Sequence, residues 1–223
     1  MQFVRSLAVT PQRWALALLF VLMLLPGLDI PVSTVFYRPA TTFGWTIGGF
    51  PELVRSGLPD AIIASVVVCA VLWAGARLYG NWPQWVTSSR LTYLVMTLLI
   101  GPGLIVEALL KPHWGRARPK DITVFGGDAV YTLPWQIADA CVSNCSFVSG
   151  HAAVTFWLTA YAFLLPVKWR APMLFVAMAL GLGVGAVRIA QGGHFLSDVV
   201  AAGFIVVLVN SVLARLIVRP ATP

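Results

Sequence analysis

Six stretches of the chain, 13–31, 59–79, 91–110, 149–167, 172–190 and 196–217, are apolar over roughly the 20 residues that a helix needs to cross a bilayer. The segments between them turn polar and carry most of the charge. This pattern predicts an all-α polytopic membrane protein with six transmembrane helices, which puts both termini on one side. Arg5 and Arg13 precede the first stretch as they would in a signal peptide, but no small-residue cleavage site follows Leu25-Pro26-Gly27. A retained helix is therefore expected. No Ser-rich, Gly-rich or charge-rich linker interrupts the chain, so residues 1–223 read as a single domain.

Composition sharpens this reading. Of 223 residues, 59% are hydrophobic and 10% charged, with a mean hydropathy of +0.85; soluble domains are about a quarter charged. The formal charge of +7 comes from short basic clusters between apolar runs. Such clusters suit lipid phosphates and membrane surfaces, and they call for neither nucleic acid nor an obligate protein partner.

With the amino terminus in the cytoplasm, the inner side carries Arg5, Arg13, Arg77, Arg90, Lys168, Arg170, Arg215 and Arg219 and none of the acids. The outer side holds Arg38, Arg55, Lys111, Arg116, Arg118, Lys120 and Arg188 with all the acids. Setting aside Lys111, Arg118 and Arg188 as phosphate ligands leaves the excess of bases inside, as the positive-inside rule requires. The longest loop, about 111–148, then faces outward.

Residues 32–58 mix Phe36, Tyr37, Phe43, Trp45 and Phe50 with glycine and proline, which predicts an aromatic belt at the interface and leaves a lipid-entry platform open. Gly181, Gly183 and Gly185 predict close helix packing without chemistry. Cys69, inside an apolar run, reads as a small buried hydrophobe. Cys141 and Cys145 share a polar loop, where a disulfide and two free thiols are equally open. Two thiols without further paired ligands do not make a zinc site, so no metal is expected.

Three polar clusters stand at the outward ends of spans, where a charge is costly without a partner or ligand. The first runs from Lys111 to Pro119 and contains His113, Arg116 and Arg118; the second is Ser149-Gly150-His151; the third runs from Arg188 through His194 to Asp198. Phosphoryl transfer needs positive charge around the equatorial oxygens, a nucleophile on one side and a proton donor on the other. Arg118 and Arg188 can grip oxygens through bidentate forks, and Lys111 adds a point charge. Ser149 and Gly150 open a helix whose backbone N–H groups suit an anion, and Ser149 adds a hydroxyl. His194 and Asp198 are one helical turn apart, so the carboxylate can hold one ring nitrogen while the other attacks phosphorus. His151 would protonate the departing oxygen. His113 reads as a structural hydrogen bonder. Arg116 and Lys120 read as contacts to neighbouring lipid phosphates or solvent. Glu107, one turn before Lys111, is equally an ion-pair partner or an interfacial carboxylate.

These stretches resemble the three signature motifs of the type 2 phosphatidic acid phosphatase superfamily, K-x6-R-P, P-S-G-H and S-R-x5-H-x3-D. The resemblance implies a metal-independent lipid phosphatase without a cofactor, acting through a phosphohistidine. His194 is then the nucleophile, His151 the general acid and Asp198 the partner of His194. Lys111, Arg118, Arg188, Ser149 and Gly150 bind the phosphate. Val148 and Val187 stand where the family has proline and serine, and the change at Val187 removes one possible hydroxyl contact. Vanadium haloperoxidases share the pocket, but they are soluble as a rule.

The substrate implied is a phosphorylated membrane lipid: phosphatidylglycerol phosphate, phosphatidic acid, undecaprenyl diphosphate or lipid A. Phe125-Gly126-Gly127 and Asn144 to His151 are similar to bacterial members that include lipid A phosphatases, which implies the bacterial inner membrane and a periplasmic site. A lipid phosphotransferase could use the same residues, whereas a lipid transporter would not need the His194–Asp198 pair.

Overall fold

The structure is a computed structural model, which describes residues 10–39, 42–43, 49–53, 57–79 and 88–218. Arg5, Trp45, Arg55 and Arg219 lie outside the described residues. In chain order the elements are α1 (Thr10–Met23), α2 (Asp29–Phe36), a hairpin of β1 (Tyr37–Arg38) and β2 (Thr42–Phe43), and α3 (Leu58–Tyr79). α4 starts as Ser88–Leu98 and continues without a break through a π-helical stretch, Leu99–Leu110, to Lys111–His113. After the long loop 114–149 come α5 (Gly150–Phe156), α6 (Thr159–Leu164), α7 (Val167–Ala190) and α8 (Leu196–Ile217).

All six apolar stretches are helical, but not all are single helices. α3, α4, α7 and α8 are long and apolar enough to span a bilayer, and α1 with α2 makes a fifth such unit if the bent pair counts as one span. The expected straight helix over 13–31 ends at Met23 and resumes at Asp29 after a bend of 67°. Pro26 is the cause: it has no N–H to continue the ladder, and its ring would clash with the preceding turn. The restart places Asp29 in a first turn, where the helix dipole favours a carboxylate.

The expected helix over 149–167 is likewise interrupted, at Trp157 and Leu158. Backbone groups freed inside a membrane protein must find partners among neighbouring helices. Here Asn210 Nδ2 donates to the Trp157 carbonyl at 3.4 Å and to Thr159 Oγ1 at 2.9 Å. The Trp157 indole donates to Thr97 Oγ1 at 2.8 Å, and Tyr93, fully buried, lies with its hydroxyl 3.2 Å from the Asn210 carbonyl.

α8 is the hub. It packs against α1, α2, α4, α5, α6 and α7, and its run Ser197–Gly203 is buried on every side. The residues that allow this are small. A Cβ at Gly185 of α7 would collide with Val199 of α8, and one at Gly181 with Phe156 of α5, whereas Gly183 faces open space. The expectation of close packing holds for the first two glycines and not for the third.

Three local expectations are corrected or decided. Tyr37 and Phe43 are not an aromatic belt: with Phe125 they form a cluster of rings whose centroids lie 5.1–5.7 Å apart, fixing the loop after α4 to the hairpin. Cys69 is exposed on α3 rather than buried, because an apolar exterior suits it as well as a core. Cys141 and Cys145 are joined by a disulfide.

Gly185→Leu is expected to lower stability in detergent by roughly 1–3 kcal/mol through overpacking, while Gly183→Leu stays within about 0.5 kcal/mol of the parent. Thermal unfolding of the two variants checks this, and equal melting temperatures would rule out the α7–α8 contact as the reason for the stripe.

Candidate active site

The three polar clusters meet at one end of α4, α5, α7 and α8. Lys111 directly follows the π-helical stretch of α4, and its Nζ lies 2.9 and 3.0 Å from the Glu107 carboxylate oxygens, so the ion pair left open by the sequence is made. Gly150 sits directly against that pair. A Cβ there would collide with Glu107 Oε1 and come within 3.4 Å of Lys111 Nζ, so only glycine lets α5 begin this close to the lysine.

Arg188 ends α7, and the chain then turns through Gly192 at φ +63°, where a side chain would also strike Phe43. A Cβ on Gly193 would collide with the Arg188 guanidinium, so this residue clears the passage for Arg188. Arg188 Nη1 donates to Gln191 Oε1 at 2.6 Å, which steadies one end of the fork. Arg118 Nη2 donates to the Asn144 carbonyl, inside the loop closed by the Cys141–Cys145 bond. Burial lowers the pKa of Arg118 from its ordinary value.

His194 is buried and lies within reach of the charges of these cations. Its pKa is held well below the usual imidazole value, first by burial and then by the positive charges of Arg188, Arg118 and Lys111. Its Nδ1 lies 2.6 Å from the Ser146 carbonyl oxygen. A carbonyl only accepts, so Nδ1 carries the proton and Nε2 keeps the lone pair.

This corrects the expected pairing. Asp198 Oδ2 is 3.9 Å from His194 Nδ1, too far for a hydrogen bond. Its oxygens are taken elsewhere: Oδ2 accepts from Ser146 Oγ at 2.5 Å and Phe195 N at 2.8 Å, and Oδ1 from Arg116 Nη1 at 2.5 Å. Ser146 thus stands between the two, with its hydroxyl on the carboxylate and its carbonyl on the imidazole.

Arg116 is also corrected. It meets neither lipid nor solvent but is fully buried. Nη2 donates to Asp29 Oδ2 at 2.8 Å, Nη1 also to Ser197 Oγ at 2.9 Å, and Nε to the Thr132 carbonyl at 3.0 Å. Burial works against its charge, but the Asp198 and Asp29 carboxylates hold its pKa above the ordinary arginine value. Asp29 in turn accepts from the Ser197 N–H at 2.8 Å, the Ser197 hydroxyl at 2.6 Å and the Tyr131 hydroxyl at 3.1 Å. Burial, followed by the nearby Asp29 charge, pushes the Tyr131 phenol up to about 12. Lys120 is exposed, as expected.

Ser149 N–H is not an open donor at a helix start, because it bonds the Asp198 backbone carbonyl at 3.3 Å. Its hydroxyl is buried and finds no hydrogen-bond partner among the described residues. His151 lies half-buried in the first turn of α5. His113 is exposed, with Nδ1 2.8 Å from the Leu109 carbonyl, outside the cluster. Val148 is buried in the main core, and Val187 leaves Gln191 as a side-chain partner of Arg188. Sequence reasoning missed Asp29 and Ser146. Asp29 carried a usable signal, a carboxylate at the edge of an apolar run; Ser146 carried none, since its key atom is a backbone oxygen.

Comparison with known proteins points the same way. The sequence model of the PAP2 superfamily matches residues 90–220. The lipid A 4'-phosphatase of Francisella tularensis subsp. novicida (strain U112) is 41% identical over 128 residues, which span 57% of this chain but only 58% of that protein. The lipid A 4'-phosphatases of Rhizobium leguminosarum and Rhizobium etli are 35% and 36% identical over 197 residues, or 82% of this chain and 84% and 76% of theirs. No solved structure matches the chain significantly.

The depressed pKa makes a prediction about His194. Its ring should remain neutral, with the proton on Nδ1, at pH values well below 6.5, because the folded site resists a proton that the unfolded chain accepts. The associated stability is complete above about pH 6.5 and is lost as pH falls toward the folded value. Imidazole nitrogen NMR shifts report both proton and tautomer, and a midpoint at or above 6.5, or a proton on Nε2, would contradict the geometry.

Proposed function

This chain belongs to the PAP2 superfamily and is a membrane lipid phosphatase, and from that premise we propose that it removes the 4'-phosphate of lipid A through a phosphohistidine on His194. The lipid A reading rests on the names of the three relatives. The mechanism rests on one observation above the others: the Ser146 carbonyl fixes the Nδ1 proton, which leaves Nε2 of a neutral His194 as the nucleophilic atom beside Lys111, Arg118 and Arg188.

In the first half-reaction Nε2 bonds to phosphorus while the bond from phosphorus to the lipid oxygen breaks. His151 gives its proton to that oxygen. Lys111, Arg118 and Arg188 balance the charge on the three equatorial oxygens, and the unpaired Ser149 hydroxyl donates to one of them. Gly150 keeps the approach to Lys111 open. In the second half-reaction His151 takes a proton from water, whose oxygen attacks phosphorus and releases inorganic phosphate from His194. Asp198 favours the positive ring of the intermediate by its nearby charge.

The remaining architecture follows from this reading. Residues 1–223 act as one domain with six membrane crossings, the bent α1–α2 pair and the interrupted α5–α6 pair each counting as one. Both termini face the cytoplasm. The site then opens to the periplasmic face of the inner membrane, where the head group is presented.

The test is a panel of lipid A, phosphatidylglycerol phosphate, phosphatidic acid and undecaprenyl diphosphate, offered to the purified protein in detergent with chelator present. Free phosphate should be released fastest from lipid A, and His194→Ala should cut turnover by about a thousandfold or more. Label transferred to a second lipid instead of water would make the chain a phosphotransferase, and an active His194→Ala protein would end the phosphohistidine mechanism.

A further inference from the structure

We infer that Asp29 and Arg116 are positioning residues of the reaction, which hold Asp198 in place behind His194 and keep the buried charge there net negative. The inference rests on the reading that His194 is the group that becomes phosphorylated.

The geometry starts from Asp198, which has no bond to His194 and acts on it in two indirect ways. One is charge across 3.9 Å. The other runs through Ser146, whose hydroxyl is bound by Asp198, whose carbonyl holds His194 Nδ1, and whose N–H donates to the Arg116 carbonyl at 2.9 Å. Arg116 therefore fixes both routes, one by its side chain and one by its backbone.

An arginine paired with Asp198 alone would cancel the charge that Asp198 offers. Asp29 prevents that. With both carboxylates ionised, two of them and one guanidinium, all buried, leave one negative charge in excess. Bond formation at Nε2 turns a neutral ring into a cation, next to Arg188, Arg118 and Lys111, which oppose it. A net negative group on the Nδ1 side of the ring offsets that opposition as the bond forms. The Phe195 ring, 4.4 Å from Arg116 Cζ, and the Tyr131 ring, at 5.4 Å, cover the guanidinium, so water does not screen the three charges.

A structural role alone would not require charge, because a buried ion pair is commonly replaceable by apolar residues of similar shape without loss of stability. The experiment therefore separates charge from shape in the full-length protein. Asp29→Asn keeps the shape and one acceptor oxygen but removes the charge. It should lower kcat about 10- to 100-fold with KM changed less than about twofold, since the effect is confined to the step that charges the ring. Adding Arg116→Gln restores the single excess negative charge, and kcat should recover at least about fivefold over the single variant. Should the double variant fail to fold, Asp29→Glu against Asp29→Gln asks the same question at equal side-chain length, and Glu should be faster at a similar melting temperature.

Wild-type kcat in Asp29→Asn, no recovery in a folded double variant, or equal rates for the Glu and Gln variants would each overturn the inference. Acid-quench trapping of labelled phosphate on the wild-type protein, lost in His194→Ala, tests the underlying mechanism separately. Wild-type protein that traps no label removes that mechanism and this inference together. Trapping that proceeds at the same rate in Asp29→Asn removes the inference alone.

Discussion

The arrangement depends on one buried guanidinium. Arg116 reaches Asp29 on one side and Asp198 on the other, and losing one partner of such a buried group leaves a bare charge that costs about 3–5 kcal/mol. That constraint draws three distant parts of the chain to one point. Asp29 comes from the first turn of α2, Arg116 from the loop after α4, and Asp198 from the first turn of α8. The bend at Pro26 is thus more than a helix defect, because a straight helix over 13–31 would not set Asp29 in the restarted first turn that Ser197 and Arg116 contact.

Around this point, backbone rather than side-chain groups supply much of the precision. The Ser146 carbonyl selects the tautomer of His194, and the Asn144 carbonyl steadies Arg118. Both oxygens lie on the short segment that the Cys141–Cys145 bond closes or abuts. The loop is tied down again through Trp114, whose indole donates to the Pro134 carbonyl at 2.7 Å and whose ring stacks on Phe147. Small residues do the rest: Gly150 admits Lys111, Gly193 admits Arg188, and Gly185 lets α7, which ends near Arg188, approach α8, which begins near Asp198.

The legible part of this structure in the sequence was the part written in side-chain chemistry and apolar length. Lys111, Arg118, Arg188, His194 and Asp198 stood out because an ionisable group at the end of an apolar span demands a partner, and Ser149 and Gly150 because they open a helix beside them. The ends of α7 and α8 followed from the same apolar lengths. What stayed hidden depended on backbone atoms or on contacts between distant segments. A motif spacing of four puts His194 and Asp198 on one face, but it does not say that Ser146 comes between them. Arg116, two residues from Arg118, read as a contact to lipid phosphates or solvent, and only the approach of Asp29 from the other end of the chain assigns it to the interior. Pro26 was visible as a helix breaker, yet apolarity alone continued the span through it. The interruption at Trp157 had no local mark, because it is made tolerable by Asn210 and Thr97 on other helices.

The interposed serine also has a chemical logic. A carboxylate bonded directly to Nδ1 could exchange a proton with the ring, and its basicity would shift with the charges around it. A carbonyl oxygen accepts the Nδ1 proton at every pH and cannot remove it. With three cations facing the imidazole, the threat to a nucleophile is not excess protonation but too little stabilisation once the ring becomes charged. Holding Asp198 at 3.9 Å divides the two tasks, so that Ser146 sets which nitrogen is free and the carboxylate supplies charge without competing for the proton.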